Sequence, residues 1–161
     1  MRVKDIPHAT QEQIMQNILD VVTALRDGHL TAFMTEGFPG LGGEIAKVLN
    51  EHMSNLVRFR QEHHRLMEEV GVTGRLGGQM EVPGLSGAWQ EMLEEVNRMG
   101  GNITNQFRDG GNVVEDLMRG DLTARMTARS IRGEFASFRE NLNDLAERYE
   151  KRCSPEAAVV G

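Results

Sequence analysis

Aromatic residues make up only 5% of this 161-residue chain: one tryptophan, one tyrosine and six phenylalanines. So thin a supply argues against a globular core between two packed layers and suits long helices whose seams are built from Leu, Ile, Val and Met. Cysteine occurs once, as Cys153. No intrachain disulfide can form, which agrees with a reducing compartment, and with no base or second thiol nearby Cys153 reads as an idle surface thiol. No apolar run approaches the roughly 20 residues of a membrane span, and the opening stretch "MRVKDIPHATQEQ" lacks the apolar centre of a secretion signal. The expectation is a cytoplasmic protein, or a cytoplasmic part of a larger one, that does not insert into a membrane. In that setting the "NIT" sequon at Asn102 has no meaning. The net charge of -6 comes from interleaved acids and bases rather than clustered Lys and Arg, which excludes a nucleic-acid surface. At 39% hydrophobic and 26% charged, the chain has the composition of a folded protein rather than a disordered one.

Catalytic constellations are missing as well. "EHHRLMEE", Glu62 to Glu69, places His64 and Glu68 on one helix face, but a metal would want further ligands and no Glu-x-x-His pair supplies a carboxylate-bridged centre. There is no Gly-x-x-x-x-Gly-Lys-Ser/Thr loop and no ATP-binding glycine box, and His64 lacks the acid and proline of a kinase phosphoacceptor setting. The chain reads as a non-enzyme with no cofactor and no metal.

What is present is a repeat. "GHLTAFM" from Gly28, "GRLGGQM" from Gly74 and "GDLTARM" from Gly120 fall at one fixed interval, the mark of a stacked array. Each is followed by a second glycine that opens an eleven-residue run: "GLGGEIAKVLN" from Gly40, "GAWQEMLEEVN" from Gly87 and "GEFASFRENLN" from Gly133, closing on Asn50, Asn97 and Asn143. After the second glycine come Trp89, Met92, Val96, Met99 and Ile103 in the middle copy and Phe135, Phe138, Leu142, Leu145 and Tyr149 in the last, stepping by three and four as a helical seam does. The first copy follows less cleanly with Ile45, Leu49 and Leu56, interrupted by His52. Before the first glycine, Ile14, Ile18, Val21 and Leu25 form the same pattern, and Val113 and Leu117 continue it before Gly120. The pattern predicts helices over about 10–27, 41–71, 88–119 and 134–152.

The connectors are too long for hairpins, which need about 2 to 8 residues, yet a dozen extended residues easily climb back along a helix. Parallel helices follow. The first glycine ends a helix in a left-handed backbone, and Leu30 with Met34, Leu76 with Met80 and Leu122 with Met126 pin the returning chain. A heptad seam on each helix leaves part of it wet, so a second copy of the chain would complete a parallel four-helix bundle.

With these residues in place the chain resembles a tandem array of HAMP domains, relay modules of chemoreceptors, histidine kinases and cyclases. The resemblance rests on Gly28, Leu30 and Met34, on Gly74, Leu76 and Met80, and on Gly120, Leu122 and Met126. It rests also on the glycine-acid start of the second helix at Gly133 and Glu134, and on Leu142 and Asn143, while Gly40 and Gly87 open the second helices of the other two copies. Leu41 and Ala88 depart from the family's acid after the second glycine. The stretch from Gly74 is similar to modules of soluble hybrid histidine kinases, and such arrays also occur in soluble chemoreceptors.

The resemblance implies an all-α fold of three concatenated units, 8–56, 57–103 and 104–152, with 153–161 as a linker or disordered tail. It implies a homodimer that carries conformational change between flanking sensor and output domains of a receptor or sensor kinase. The alternatives are a dimerisation spacer that does not switch, and the non-catalytic N-terminal part of a histidine kinase. Two local readings bear on a relay. Val48 beside Leu49, Met53 beside His52 and Met92 beside Leu93 widen the apolar stripe, as two alternative helix rotations would require, or as a four-helix bundle wants in place of the narrower stripe of a two-stranded coil. Gly100, Gly101, Gly110 and Gly111 each cost a helix about 1 kcal/mol against alanine, marking a flexible junction.

Overall fold

A computed structural model describes residues 9–127 and 131–153. Four helices account for most of them: α1 (Gln11–Arg26), α2 (Leu41–Met67), α3 (Ala88–Met118) and α4 (Glu134–Cys153). There is no strand among the described residues. The proposed tail lies outside them beyond Cys153, as do residues 128–130 of the third connector and the first residue of the 8–56 unit.

Helix boundaries follow local chemistry. Thr10 caps α1 through a capping box: its hydroxyl accepts from the Gln13 N–H at 3.2 Å, and the Gln13 side chain accepts from the Thr10 N–H at 2.9 Å. At the other end Gly28, with φ of 82°, donates to Leu25 O, and the His29 N–H reaches back to Ala24 O. α3 ends in the same way at Gly120, φ 95°, with Asp121 N–H on Asp116 O. α2 ends differently. Its α-helical part stops at Met67, short of the expected residue 71, and the last turn widens into a π-helical turn over Glu68–Val72 before Gly74. The Thr73 N–H there bonds to Glu68 O at 3.0 Å, five residues back, and this segment holds one residue more than its counterpart in α3.

Contacts divide the chain into two compact units, Met1–Val96 and Asn97–Gly161, the division falling within α3. In the first unit, Ile14 near the start of α1 lies 3.0 Å from where a Cβ on Gly42 at the start of α2 would stand. Further along both helices, Val21 shares a buried cluster with Ala46 and Met34, flanked by Ile18, Ile45 and Leu49. The two helices therefore run in the same direction. Later in α2, Phe59 meets Trp89 edge to face at 5.8 Å, with His52 at 6.2 Å from the same indole, while Leu66 clusters with Met80, Val82 and Leu93. That pairing is parallel too. In the second unit Phe138 sits beside Gly110, and Val113 clusters with Met126 and Leu142.

α3 runs through both glycine pairs without a break. Gly100, Gly101 and Gly111 have open space where a Cβ would go, but a Cβ on Gly110 would stand 2.7 Å from Phe138 Cε1. Gly110 is thus a site of close helix packing as well as a gap in helix propensity. We expect alanine at 100, 101 or 111 to raise thermal stability by up to about 1 kcal/mol each. Gly110→Ala should gain less or lose, and the gain should return in a Phe138→Ala background; equal effects at all four positions would refute the packing role.

Candidate functional site

The three connectors share one arrangement: a buried methionine inserted between two parallel helices. Met34, Met80 and Met126 are 2%, 1% and 3% exposed, while Leu30, Leu76 and Leu122 are half-buried. Burying a methionine on an extended segment also draws its backbone away from water, and a buried N–H or C=O needs a partner. Asn50 supplies both in the first connector. Its Oδ1 accepts from the Met34 N–H at 2.7 Å and its Nδ2 donates to Met34 O at 3.0 Å. Asn143 does the same for Met126, at 2.8 and 3.1 Å. Asn97 occupies the same offset in the middle repeat. The repeated asparagine was visible in the sequence as a motif, but its task was not. Its signal was a short amide recurring at a fixed distance from a buried-methionine loop.

Side chains of the preceding helix add further ties. Asn17 Oδ1 accepts from the Thr35 N–H at 2.9 Å. The second connector is gripped by charge: Arg65 pairs with Glu62 and Glu69, both at 2.8 Å, and donates to Gln79 O, while Glu62 accepts from the Glu81 N–H at 3.2 Å. The Arg65 hydrogen bond, then the Glu81 N–H, hold the Glu62 carboxyl below the usual glutamate range. The two carboxylates hold the Arg65 guanidinium above its already high value. In the third connector Arg125 donates to Leu122 O and Ala124 O and pairs with Glu150. The Thr123 hydroxyl and N–H lower the Asp121 pKa there.

The seam residues fall into three groups. Val21, Val113 and Leu142 are buried; Ile14, Ile18, Leu25, Ile45, Leu49, Leu56, Val96, Ile103 and Leu117 are half-buried. Trp89, Met92, Met99, Phe135, Phe138 and Leu145 are exposed. Much of the line buried within the chain lies one residue later, at Ala46, Met53, Leu93, Thr104 and Ala146. The second helices of the first two repeats carry two adjacent apolar lines, and the connector methionine sits against the later one, at Ala46 and Leu93; in the third repeat Met126 packs on Leu142, a seam residue itself. Parts of the earlier line stay open, with Met99 at 54% and Leu145 at 48% exposure. In the first unit the open side is a groove of about 530 Å³ lined by Ile18, Val22, Leu41, Glu44, Ile45, Val48, Leu49 and His52. The second-helix glycines Gly40, Gly87 and Gly133 all have positive φ, and Glu134 opens α4.

Among the described residues no group of three or more His, Cys, Asp or Glu could hold a metal ion, and His63 and His64 are exposed on α2. No helix is long and apolar enough to cross a membrane among the described residues. Cys153 is exposed.

Residues 84–151 match the family model of the HAMP domain, a stretch that takes in α3, the third connector and nearly all of α4. HAMP domains are non-catalytic signalling linkers that dimerise and act within larger sensor proteins. No solved structure matches the chain.

Two outcomes test the clamps. Asn50→Leu and Asn143→Leu should each cost about 1–3 kcal/mol in denaturant unfolding, because each strands a buried N–H and C=O; a near-neutral effect would show that the amide is dispensable. Glu62, whose pKa is depressed on folding, stabilises the chain fully above the ordinary carboxylate range and loses that contribution as pH falls through its lowered value. The stability difference between the unaltered chain and Glu62→Gln should therefore shrink on acidification from neutral pH, and a gap that stays constant would argue against the grip.

Proposed function

We propose that the chain is a relay segment built of three HAMP-like repeats, 8–56, 57–103 and 104–152. In this reading two copies pair in parallel and pass conformational change from an input domain to an output domain of a cytoplasmic sensor. The observation that carries it is the second apolar line. Met92 and Leu145 follow seam spacing and stand beside the buried Leu93 and Ala146, and they and Met99 remain exposed in the single molecule. Burial contributes about 25 cal/mol per Å², so a self-complementary partner carrying the same line is favoured. The HAMP match over residues 84–151 supports the same reading for the C-terminal part. For the N-terminal part the support is the repeat itself: the same glycine, leucine and methionine offsets, with Asn50 clamping Met34 as Asn143 clamps Met126.

The paired lines also give a relay something to move. Adjacent apolar residues such as Met92 and Leu93 differ by about 100° around a helix, so a modest rotation exchanges which of them faces a neighbour.

Met99→Asp and Leu145→Asp test pairing directly. Both positions are exposed in the lone chain, so a monomer should keep its helix content. An unpaired carboxylate in a seam between chains costs at least about 3 kcal/mol, roughly a hundredfold in dissociation constant. Sedimentation should show a two-chain species for the unaltered protein and a single chain for the variants. An unaltered chain that sediments alone across working concentrations would sink the proposal. Within a full sensor, seam replacements that push output both up and down support relay over a passive spacer, which could only lose function.

A further inference from the structure

The hydrogen bonds that close α1, α2 and α3 are alike except by one residue. After Gly28 the His29 N–H reaches Ala24 O, and after Gly120 the Asp121 N–H reaches Asp116 O, five residues back in both. After Gly74 the Arg75 N–H reaches Glu69 O at 2.7 Å, six residues back. The extra residue is also in the sequence: Gly74 follows Gly40 by 34 positions, whereas Gly120 follows Gly87 by 33. Burial agrees. Val21 and Val113 are buried seven residues before their glycines, but Leu66 is buried eight before Gly74.

We propose that the π turn at Glu68–Val72 is a register adaptor, absorbing one inserted residue so that two repeats with buried lines one residue out of step can share α2. One residue in an uninterrupted α-helix turns a side chain by about 100°, enough to swing Leu66 away from the cluster it forms with Met80, Val82 and Leu93. The wide turn cancels that rotation. The charges around it hold it in place: Arg65 reaches Glu62 before the turn, Glu69 within it and Gln79 O on the connector, and Glu69 O also accepts from the Thr73 hydroxyl at 2.7 Å. Gly71 is the removable residue. It is exposed, has open space around its Cβ position and has no positive φ. Without it, Val70 and Leu66 would stand three and seven places before the glycine, as Leu25 and Val21 do before Gly28.

Deleting Gly71 should convert the turn to ordinary α-helix and leave a chain that melts at or above the temperature of the unaltered protein. Deleting Gly101, the same change where α3 has no wide turn to close, should lower the melting temperature. A Gly71 deletion that costs as much as the Gly101 deletion, or that fails to fold, overturns the proposal. Hydrogen exchange on the unaltered chain provides a second measurement: Thr73 and Arg75 amides protected by Glu68 and Glu69 carbonyls support the adaptor, and exchange as fast as in an exposed loop overturns it. The exchange readout belongs to the turn inside one chain, and the melting comparison, made at a concentration where sedimentation gives both variants the same number of chains, then separates a failure of the adaptor from a failure of pairing.

Discussion

Everything in the connectors depends on satisfying the backbone of a methionine that has left water. Two parallel helices oblige the chain to return along their length, and the return is stable only if something on it is worth burying. Met34 and Met126 fill that role, but each brings an amide and a carbonyl into the groove, where an unmet pair costs more than the side chain's neighbours can easily offset. A single asparagine, held on a helix at a fixed offset, answers both groups with its own two. Its shape is that of a peptide bond, so the extended connector is paired as it would be at a sheet edge, without a strand being there.

This arrangement fixes the faces of the second helices. The residues against the methionine, Ala46 in the first repeat and Leu93 in the second, belong to the chain's own interior. Their immediate predecessors, Ile45 and Met92, are turned about 100° away and are left half-buried or exposed. The inner line mixes small and large residues: Ala46 lies against Met34, and Ala46 and Ala146 are enclosed although alanine has little side chain to hide, as are Met53 and Leu93. Large residues recur on the outer line, where Met92, Met99 and Leu145 stay exposed while Trp89 and Phe138 find partial cover against Phe59 and Gly110.

The helices were legible in the sequence because heptad steps and paired glycines are local signals, and apart from the end of α2, where α-helix gives way to the π turn at Glu68, their ends fall within a residue or two of where those signals stop. The connector methionines were legible because the same residue recurred at the same place three times. The inner line was not, since a step of one residue between two apolar stripes cannot be resolved without knowing which stripe the connector occupies. Nor was the charged grip of Arg65, which depends on a connector 14 residues away folding back onto its own helix. The π turn stands between these cases. The additional residue can be counted between Gly40 and Gly74, but a count does not say whether a helix bulges, frays or slips. Gly110 shows the opposite error, a residue read only for its freedom that also makes room for Phe138.

The chain's one tryptophan is placed with Phe59 edge-on and the His52 imidazole nearby, on the helix start that packs against α2. Indole emission depends on local polarity and on quenching by adjacent rings, so the protein carries an optical gauge of how α2 lies against the beginning of α3, needing neither label nor mutation to be read.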